Sequence, residues 1–564
     1  MTLATTEQRL NRAEALQQLT APGQPFEMRV LDIRGNPCRV YVNAPNSLRE
    51  LFAENRSEAT FFVYEDERYS FESMYQQAAT IAAKLVSDYG ISQGDRVAIS
   101  MRNYPEWILA FTAITSIGAI AVAMNALWGP EEMAYGLRHC GARLVFADQE
   151  RVDRLARCEP AVDIDILGVR LTNAPPTLNI RSITSLLATP AAMPLIKIDA
   201  DDDALILYTS GSTGHPKGAV SSHRAIISAL LSWEVDAAAS ALINQTKPLE
   251  LPYQVATLLG VPLFHVAGSH AVFLSCYRSQ RKLVGMYKWD VDTAAELIER
   301  EQIASFVAPA AMTGDLVEAA LRTQRDLSSL LVVGGGGAPR APDQVKRIAT
   351  TFKQAMPNTG WGMTETNAIG TGISGQDYLD RPNSSGRVAA VLDLMIMDEA
   401  GNPLPQGQRG ELMVRGTSMI RGYWDNPEAN ASAFTKGWFH TGDVAYLDED
   451  GFVFIVDRIK QLIIRGGENV GCGEVEAALL SHADVIEASV YGIPDARLGE
   501  EIGATLYVRT RVDEDGLRGF LVDHLARFKI PRYIALTFES LPRIASGKID
   551  KITLRAKHRQ TLGL

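Results

Sequence analysis

Leu205–Val220 reads LILYTSGSTGHPKGAV. The apolar run Leu205–Tyr208 has the length of a buried strand and breaks at once into hydroxyl residues and glycines. Gly211, Gly214 and Gly218 carry no Cβ, so the backbone there can turn its N–H groups toward an anion. Thr209, Ser210, Ser212 and Thr213 add hydroxyl donors, and Lys217 adds a full positive charge. The pattern predicts a strand, a donor-rich loop and a helix beginning near Ser222, together a seat for a polyphosphate. It is not a Walker A loop, in which lysine follows glycine and precedes Ser or Thr, because Lys217 stands between Pro216 and Gly218. Nor does the loop hold the G-x-G-x-x-G spacing of a dinucleotide fold.

Around this loop, amphipathic helical stretches (Tyr75–Tyr89, His223–Ser232, Asp292–Glu301) alternate with β-rich runs (Arg96–Ser100, Arg143–Ala147, Ala204–Tyr208). Such alternation predicts an α/β protein built on largely parallel sheets. From about Arg387 the texture changes to short strands broken by Gly, Pro and Asp, a β-rich unit closing the large domain. After Asp457 mixed α/β character returns, and 564 residues exceed what one core holds. Trp107–Met124 runs 18 residues without a charge, the lower limit for a membrane span. Gly118 divides it, and its flanks, Glu106 and Glu131, are not the usual basic anchors, so a buried helix followed by a strand is expected.

The net charge of −11 argues against nucleic acid as a partner. Five scattered cysteines form no C-x-x-C pair, and the N-terminal stretch is polar. A reducing cytoplasm without a secretion signal is therefore expected.

Five further stretches occur in order: GGGGAP at 334–339, GWGMTET at 360–366, WFHTGDVAYLDEDGFVFIVDRIK at 438–460, IIRGGENVGCGEVEAAL at 463–479 and PRIASGKIDK at 542–551. With the 205–220 loop, they resemble the signatures of the adenylate-forming (AMP-binding) superfamily, in its acyl-CoA synthetase or fatty-acid–CoA ligase branch. QGDRVAISMRNYPEW and GAIAVAMN near the N-terminus resemble the first core motifs of the same family, so the likeness spans nearly the whole chain.

The resemblance implies a large N-terminal domain, 1–458, of two parallel α/β subdomains and a β-rich barrel-like subdomain. A small mobile α+β domain, 459–564, would follow. It implies that Thr209–Gly214 and Lys217 hold the phosphates, and that Gly336, Gly337, Ala338 and Trp361 flank adenine. Thr364 would contact the α-phosphate, Asp443 the ribose hydroxyls and Arg458 the ribose or phosphate. Glu365 would hold Mg²⁺, a hard ion that keeps most of its waters and takes one or two carboxylates. Lys548 would bond both the acid's carboxylate and the α-phosphate, a cation where negative charge grows in the transition state. Lys460 falls at the interdomain hinge, and Gly466 and Gly467 in the loop lining the pantetheine tunnel. Gly471–Cys472 replaces the frequent Tyr-Pro after this loop, and Cys472 reads as a small buried or semi-exposed residue.

In amino-acid-activating members an aspartate commonly follows the phenylalanine of the pocket motif. Here PLFHVAG puts His265 after Phe264, and a substrate ammonium without a carboxylate partner would be costly to bury. Phe264, His265, Gly268, Ala308 and Met363 sketch a mainly apolar pocket, and small residues such as Ala310 leave room for an alkyl, aryl or ring-bearing acid. The expected activity is ATP-dependent formation of an acyl-adenylate, then acyl transfer to CoA. Transfer to a carrier protein, luciferase-like oxidation and an inactive adenylate-binding homologue are the competing readings. Partners would be the acid, ATP and CoA, with no membrane span and with room for a homodimer.

Overall fold

The computed structural model describes residues 10–209, 216–246, 251–337, 340–459, 462–465, 468–495, 497–543 and 548–564. Among them, two large sheets carry the site. In the first, the parallel strands Asp203–Thr209, Ile120–Ala123, Arg96–Ser100, Leu144–Asp148, Asp165–Val169 and Ile180–Ser182 lie side by side. Alternate residues face opposite layers, as the strand period of two requires. Val97, Ile99, Leu205 and Leu207 join one apolar core, while Ala98, Ile206 and Tyr208 join another. Both faces are therefore covered, as expected of parallel strands.

The second sheet centres on the parallel strands Thr60–Tyr64, Lys282–Gly285, Ala256–Leu259, Ile303–Val307, Val332–Gly334 and Met356–Thr359. It shares the larger core with the first through Phe71–Tyr89, Pro105–Ser116 and His223–Asn244. The uncharged run resolves as expected, with helix Pro105–Ser116 and strand Ile120–Ala123 both buried. Gly118 turns the chain between them at φ +71°. Among the described residues one helix, His223–Asn244, is long and apolar enough by composition to cross a membrane, and half of its apolar window is buried inside the protein.

An antiparallel sheet, Leu392–Met397, Gly410–Gly416, Trp438–Leu447, Phe434–Thr435 and Val453–Arg458, forms the β-rich unit. Beyond it, Ile463–Arg465, Glu468–Val470, Val485–Asp495, Gly499–Val508 and Tyr533–Thr537 form a sheet with a core of its own. Cys472 is buried there at the start of helix Cys472–Leu480.

One expectation is corrected. Lys217–Ser222 is a strand, antiparallel to Asp203–Thr209, with Thr209 opposite Lys217. The segment after the phosphate motif thus returns as a strand beside the one before it, while the helix begins at His223, capped by the Ser222 side chain, close to the expected start near Ser222. Strand pairing on both sides, with Asp203–Thr209 and with Gly422–Tyr423, overrides the weak strand character of KGAVSS.

Candidate active site

The predicted residues gather at the carboxyl ends of parallel strands, where α/β sheets present ligand sites. Ala256–Leu259 leads to Phe264 and His265, Ile303–Val307 to Ala308, and Val332–Gly334 to Gly336 and Gly337. Met356–Thr359 leads to Trp361, Met363, Thr364 and Glu365, while Asp203–Thr209 delivers Thr209 from the other sheet. The strand ends are crowded: a Cβ on Gly336 would lie 2.3 Å from the Gly360 carbonyl oxygen. Backbone proximity therefore demands glycine at 336.

Glu365 is buried and accepts a hydrogen bond from the Tyr423 hydroxyl at 2.8 Å. Burial raises its pKa, against the Tyr423 bond and the positive fields of Arg458 and Lys217. The Lys217 ammonium lies over the Tyr423 ring, 5.1 Å from its centroid. Tyr423 sits on the strand that pairs with Lys217–Ser222, so Lys217 and the carboxylate are tied through one aromatic side chain.

Asp443 lies on strand Trp438–Leu447 and is 2% exposed. Its Oδ2 accepts from the Trp361 indole N–H at 2.7 Å, and its Oδ1 meets Arg458 Nε at 2.8 Å. Arg458 stands directly opposite on the neighbouring strand, so strand register creates the ion pair. Burial raises the Asp443 pKa, and Arg458, Trp361 and Lys548 oppose the rise.

Lys548 comes from the small C-terminal unit, yet its charge is felt at Arg458, Asp443 and Glu365. Its pKa is lowered, first by desolvation in the crowded cleft and then by Arg458, while the two carboxylates pull it up. His265 feels the same lysine, and burial plus that charge bring its pKa down to about 4, so the ring is neutral at physiological pH. Its Nε2 is buried with no hydrogen-bond partner among the described residues. Two carboxylates, a neutral imidazole and three cations from different units of the chain thus converge on one cleft.

Profiles of known families agree with this convergence. The AMP-binding enzyme family matches residues 50–424, and the AMP-binding enzyme C-terminal domain matches residues 474–548. The chain belongs to the AMP-binding enzyme family. This family member is 30% identical to a long-chain-fatty-acid–CoA ligase of Mycobacterium tuberculosis, over 86% of this chain and 92% of that protein. It is also 30% identical to the 2-succinylbenzoate–CoA ligase of Bacillus licheniformis, over 90% and 98%. Its fold matches the o-succinylbenzoate CoA synthetase of Bacillus subtilis, solved with its acyl-adenylate intermediate, with a TM-score of 0.76 and 26% identity. That match covers 91% of this chain and 98% of the other.

Within this AMP-binding enzyme, Ser210–Gly214, Ala338, Lys460, Gly466 and Gly467 lie outside the described residues. At Gly268, counted among the expected pocket residues, the structure gives a packing reason for glycine. A Cβ there would stand 2.1 Å from the Pro262 carbonyl oxygen, so glycine is needed for backbone packing. Sequence reasoning missed Tyr423, His270 and Asn367. Each bonds a partner far along the chain, and no local motif marks it. Among the described residues no three His, Cys, Asp or Glu side chains group to hold a metal by themselves. A single carboxylate, Glu365, beside a polyphosphate fits Mg²⁺, which takes few protein ligands.

Proposed function

We propose that this AMP-binding enzyme is an ATP-dependent acid–CoA ligase, acting on a fatty, aryl-alkanoic or ring-bearing carboxylic acid. The observation that carries the reading is the meeting of Lys548 with Asp443, Arg458 and Glu365 at the strand ends. A carboxylate is a poor acyl donor because its leaving group would be oxide. In the first step a carboxylate oxygen of the acid attacks the α-phosphorus of ATP. The bond to the bridging oxygen breaks, pyrophosphate leaves, and an acyl-adenylate remains. Lys217 and the Thr209–Gly214 stretch hold the departing phosphates. Lys548 holds the carboxylate and α-phosphate together as negative charge grows on the phosphoryl oxygens. Asp443, freed from Arg458 by the incoming nucleotide, takes the ribose hydroxyls, and Trp361 flanks the base. Glu365 would hold Mg²⁺, which would supply charge neutralisation to the phosphates.

In the second step the CoA sulfur attacks the acyl carbon, the thiol proton is lost, and AMP departs. The division at 458/459 and the hinge at Lys460 belong to this reading: rotation of the small domain would withdraw Lys548 and present Gly466 and Gly467 to the pantetheine arm. A neutral His265, with no acidic residue after Phe264, favours acids without an ammonium group. The named activities of the relatives, on a long-chain fatty acid and on 2-succinylbenzoate, support an apolar or ring-bearing acid and CoA as acceptor. The buried cysteines, none in a disulfide, support a cytoplasmic setting.

A coupled AMP-release assay with CoA across fatty, aryl-alkanoic, benzoic and steroid-side-chain acids tests the reading. At least one class should give CoA-dependent turnover. Lys548→Ala should cut adenylation by roughly 10²–10³ and leave thioester formation from pre-made acyl-adenylate nearly intact. Silence of the wild type with every acid, or pyrophosphate exchange untouched in Lys548→Ala, defeats it.

A further inference from the structure

His265 is followed by a π-helix, Ala267–Leu274, whose wide turn carries the Ser275 N–H to the His270 carbonyl five residues back. π-Turns are rare and concentrate at functional sites. This one carries His270, which bonds Asn367 in the turn next to Glu365. His270 is 0% exposed, as is Asn367, and His270 Nε2 meets Asn367 Oδ1 at 3.0 Å. These residues lie 97 positions apart.

The network sets the tautomer of His270. Asn367 Nδ2 donates to the Ser418 carbonyl at 2.8 Å, so Asn367 presents its oxygen to His270. His270 Nε2 must then carry the hydrogen. Burial brings the His270 pKa down to about 4, so the ring is neutral and Nδ1 is an acceptor facing the Ser269 hydroxyl at 2.8 Å, whose Oγ also lies 3.1 Å from the His265 carbonyl oxygen. On the pocket side, the Ser269 backbone N–H donates to the His265 carbonyl at 2.9 Å. On the other side, Asn367 adopts φ +55° and donates its own N–H to the Thr364 carbonyl at 3.1 Å, closing the turn Thr364–Thr366 that holds Glu365. The Ile420 N–H binds the Glu365 carbonyl at 2.9 Å.

We propose that His270 is a positioning residue: through Asn367 it sets the distance between the acid-pocket wall bearing His265 and the loop bearing Thr364 and Glu365, so that acid and α-phosphate meet in attacking geometry. This rests on the ligase reading above. A purely structural contact would support folding alone, whereas a spacer between two half-sites governs the step that needs both. Small misplacements of reacting groups carry large rate penalties.

The test compares His270→Phe, His270→Gln and Asn367→Gly. Glutamine places an N–H donor near the Nε2 position. Glycine keeps the left-handed backbone at 367 at no steric cost and removes only the amide. With an acid that the wild type accepts, His270→Phe and Asn367→Gly should each lower the pyrophosphate-exchange kcat by roughly 10- to 100-fold. Dissociation constants for ATP alone and for the acid alone should stay within about twofold. His270→Gln should recover to within about threefold of wild type, and the double variant should be no slower than the worse single one. Unchanged kcat in Asn367→Gly, affinity loss that tracks the kcat loss, or additive losses in the double variant would overturn the proposal. Should His270→Phe fail to fold, Asn367→Gly and His270→Gln still decide it. A wild type inert toward every acid sinks the ligase reading, whereas an active wild type with indifferent variants sinks only this inference.

Discussion

Glu365 is buried in a cleft where burial and three surrounding cations pull its ionisation in opposite directions. The Tyr423 hydroxyl is the one neutral donor recorded on its side chain among the described residues. Tyr423→Phe removes that donor without changing the aromatic surface beneath Lys217. If Glu365 holds Mg²⁺ as proposed, losing this support should lower adenylation by roughly 10-fold or more and raise the Mg²⁺ concentration needed for half-maximal rate. Pyrophosphate exchange measured over a magnesium titration checks this, and an unshifted titration curve with full activity would count against it. Lys217, Asp443, Arg458 and Lys548 were legible in the sequence because each sits inside a long ordered motif. Tyr423 was not, since it lies 58 residues from Glu365 and the local RGYW carries no sign of its partner. His270 and Asn367 were hidden for the same reason: a pair distant along one sequence leaves no periodic or local trace.

Elements were legible where local pattern and tertiary pairing agree. Arg96–Ser100 appears with its predicted bounds, and Asp292–Glu301 differs by one residue, Val291–Glu301. Helix His223–Asn244 runs twelve residues beyond the expected Ser232, through an alanine-rich stretch of high helix propensity. The strand Lys217–Ser222 was missed because its partners, and not its composition, make it a strand. The π-helix was equally invisible. Gly268→Ala would press a methyl against the Pro262 carbonyl oxygen at 2.1 Å, a backbone atom that cannot swing aside. A cost of about 1–3 kcal/mol is expected, with a lower denaturation midpoint. Gly372→Ala meets nothing within 4 Å and serves as the control. Equal midpoints for the two variants would show that the π-turn relaxes freely.

Across the whole molecule, long-range stitches hold the sheets in place, and Glu301 is the clearest. It ends helix Val291–Glu301 and binds Arg68 at 2.7 Å and Lys282 at 3.0 Å, with its own side chain 4% exposed. Burial alone would raise its pKa, but the bonds from Arg68 and Lys282 win and bring it down from 4.5 to about 2. A carboxylate depressed in the folded state stabilises the protein above its unfolded pKa and loses that contribution as pH falls toward its folded one. Glu301→Gln should therefore lower stability at pH 7 by about 1–2 kcal/mol, the half-exposed Arg68 keeping the loss moderate. In urea titrations the gap from wild type should close progressively between pH 4.5 and about 2. A gap of constant size from pH 7 to pH 3 would contradict the assignment. The sequence showed the α/β class and the change of texture after Arg387, but not how the sheets share a core, because shared burial is a property of the assembled chain. That assembly has a consequence for the economy of the cell. Lys217 comes from one sheet, the turn bearing Glu365 from the other, and Lys548 from a third body with its own core, so three separately packed parts must come together to complete the cleft. On the proposed mechanism, a chain severed between Arg458 and Lys548 would keep Asp443 and Glu365 for the nucleotide yet lack the cation that joins acid to phosphate, and such damaged copies would hold ATP without consuming it.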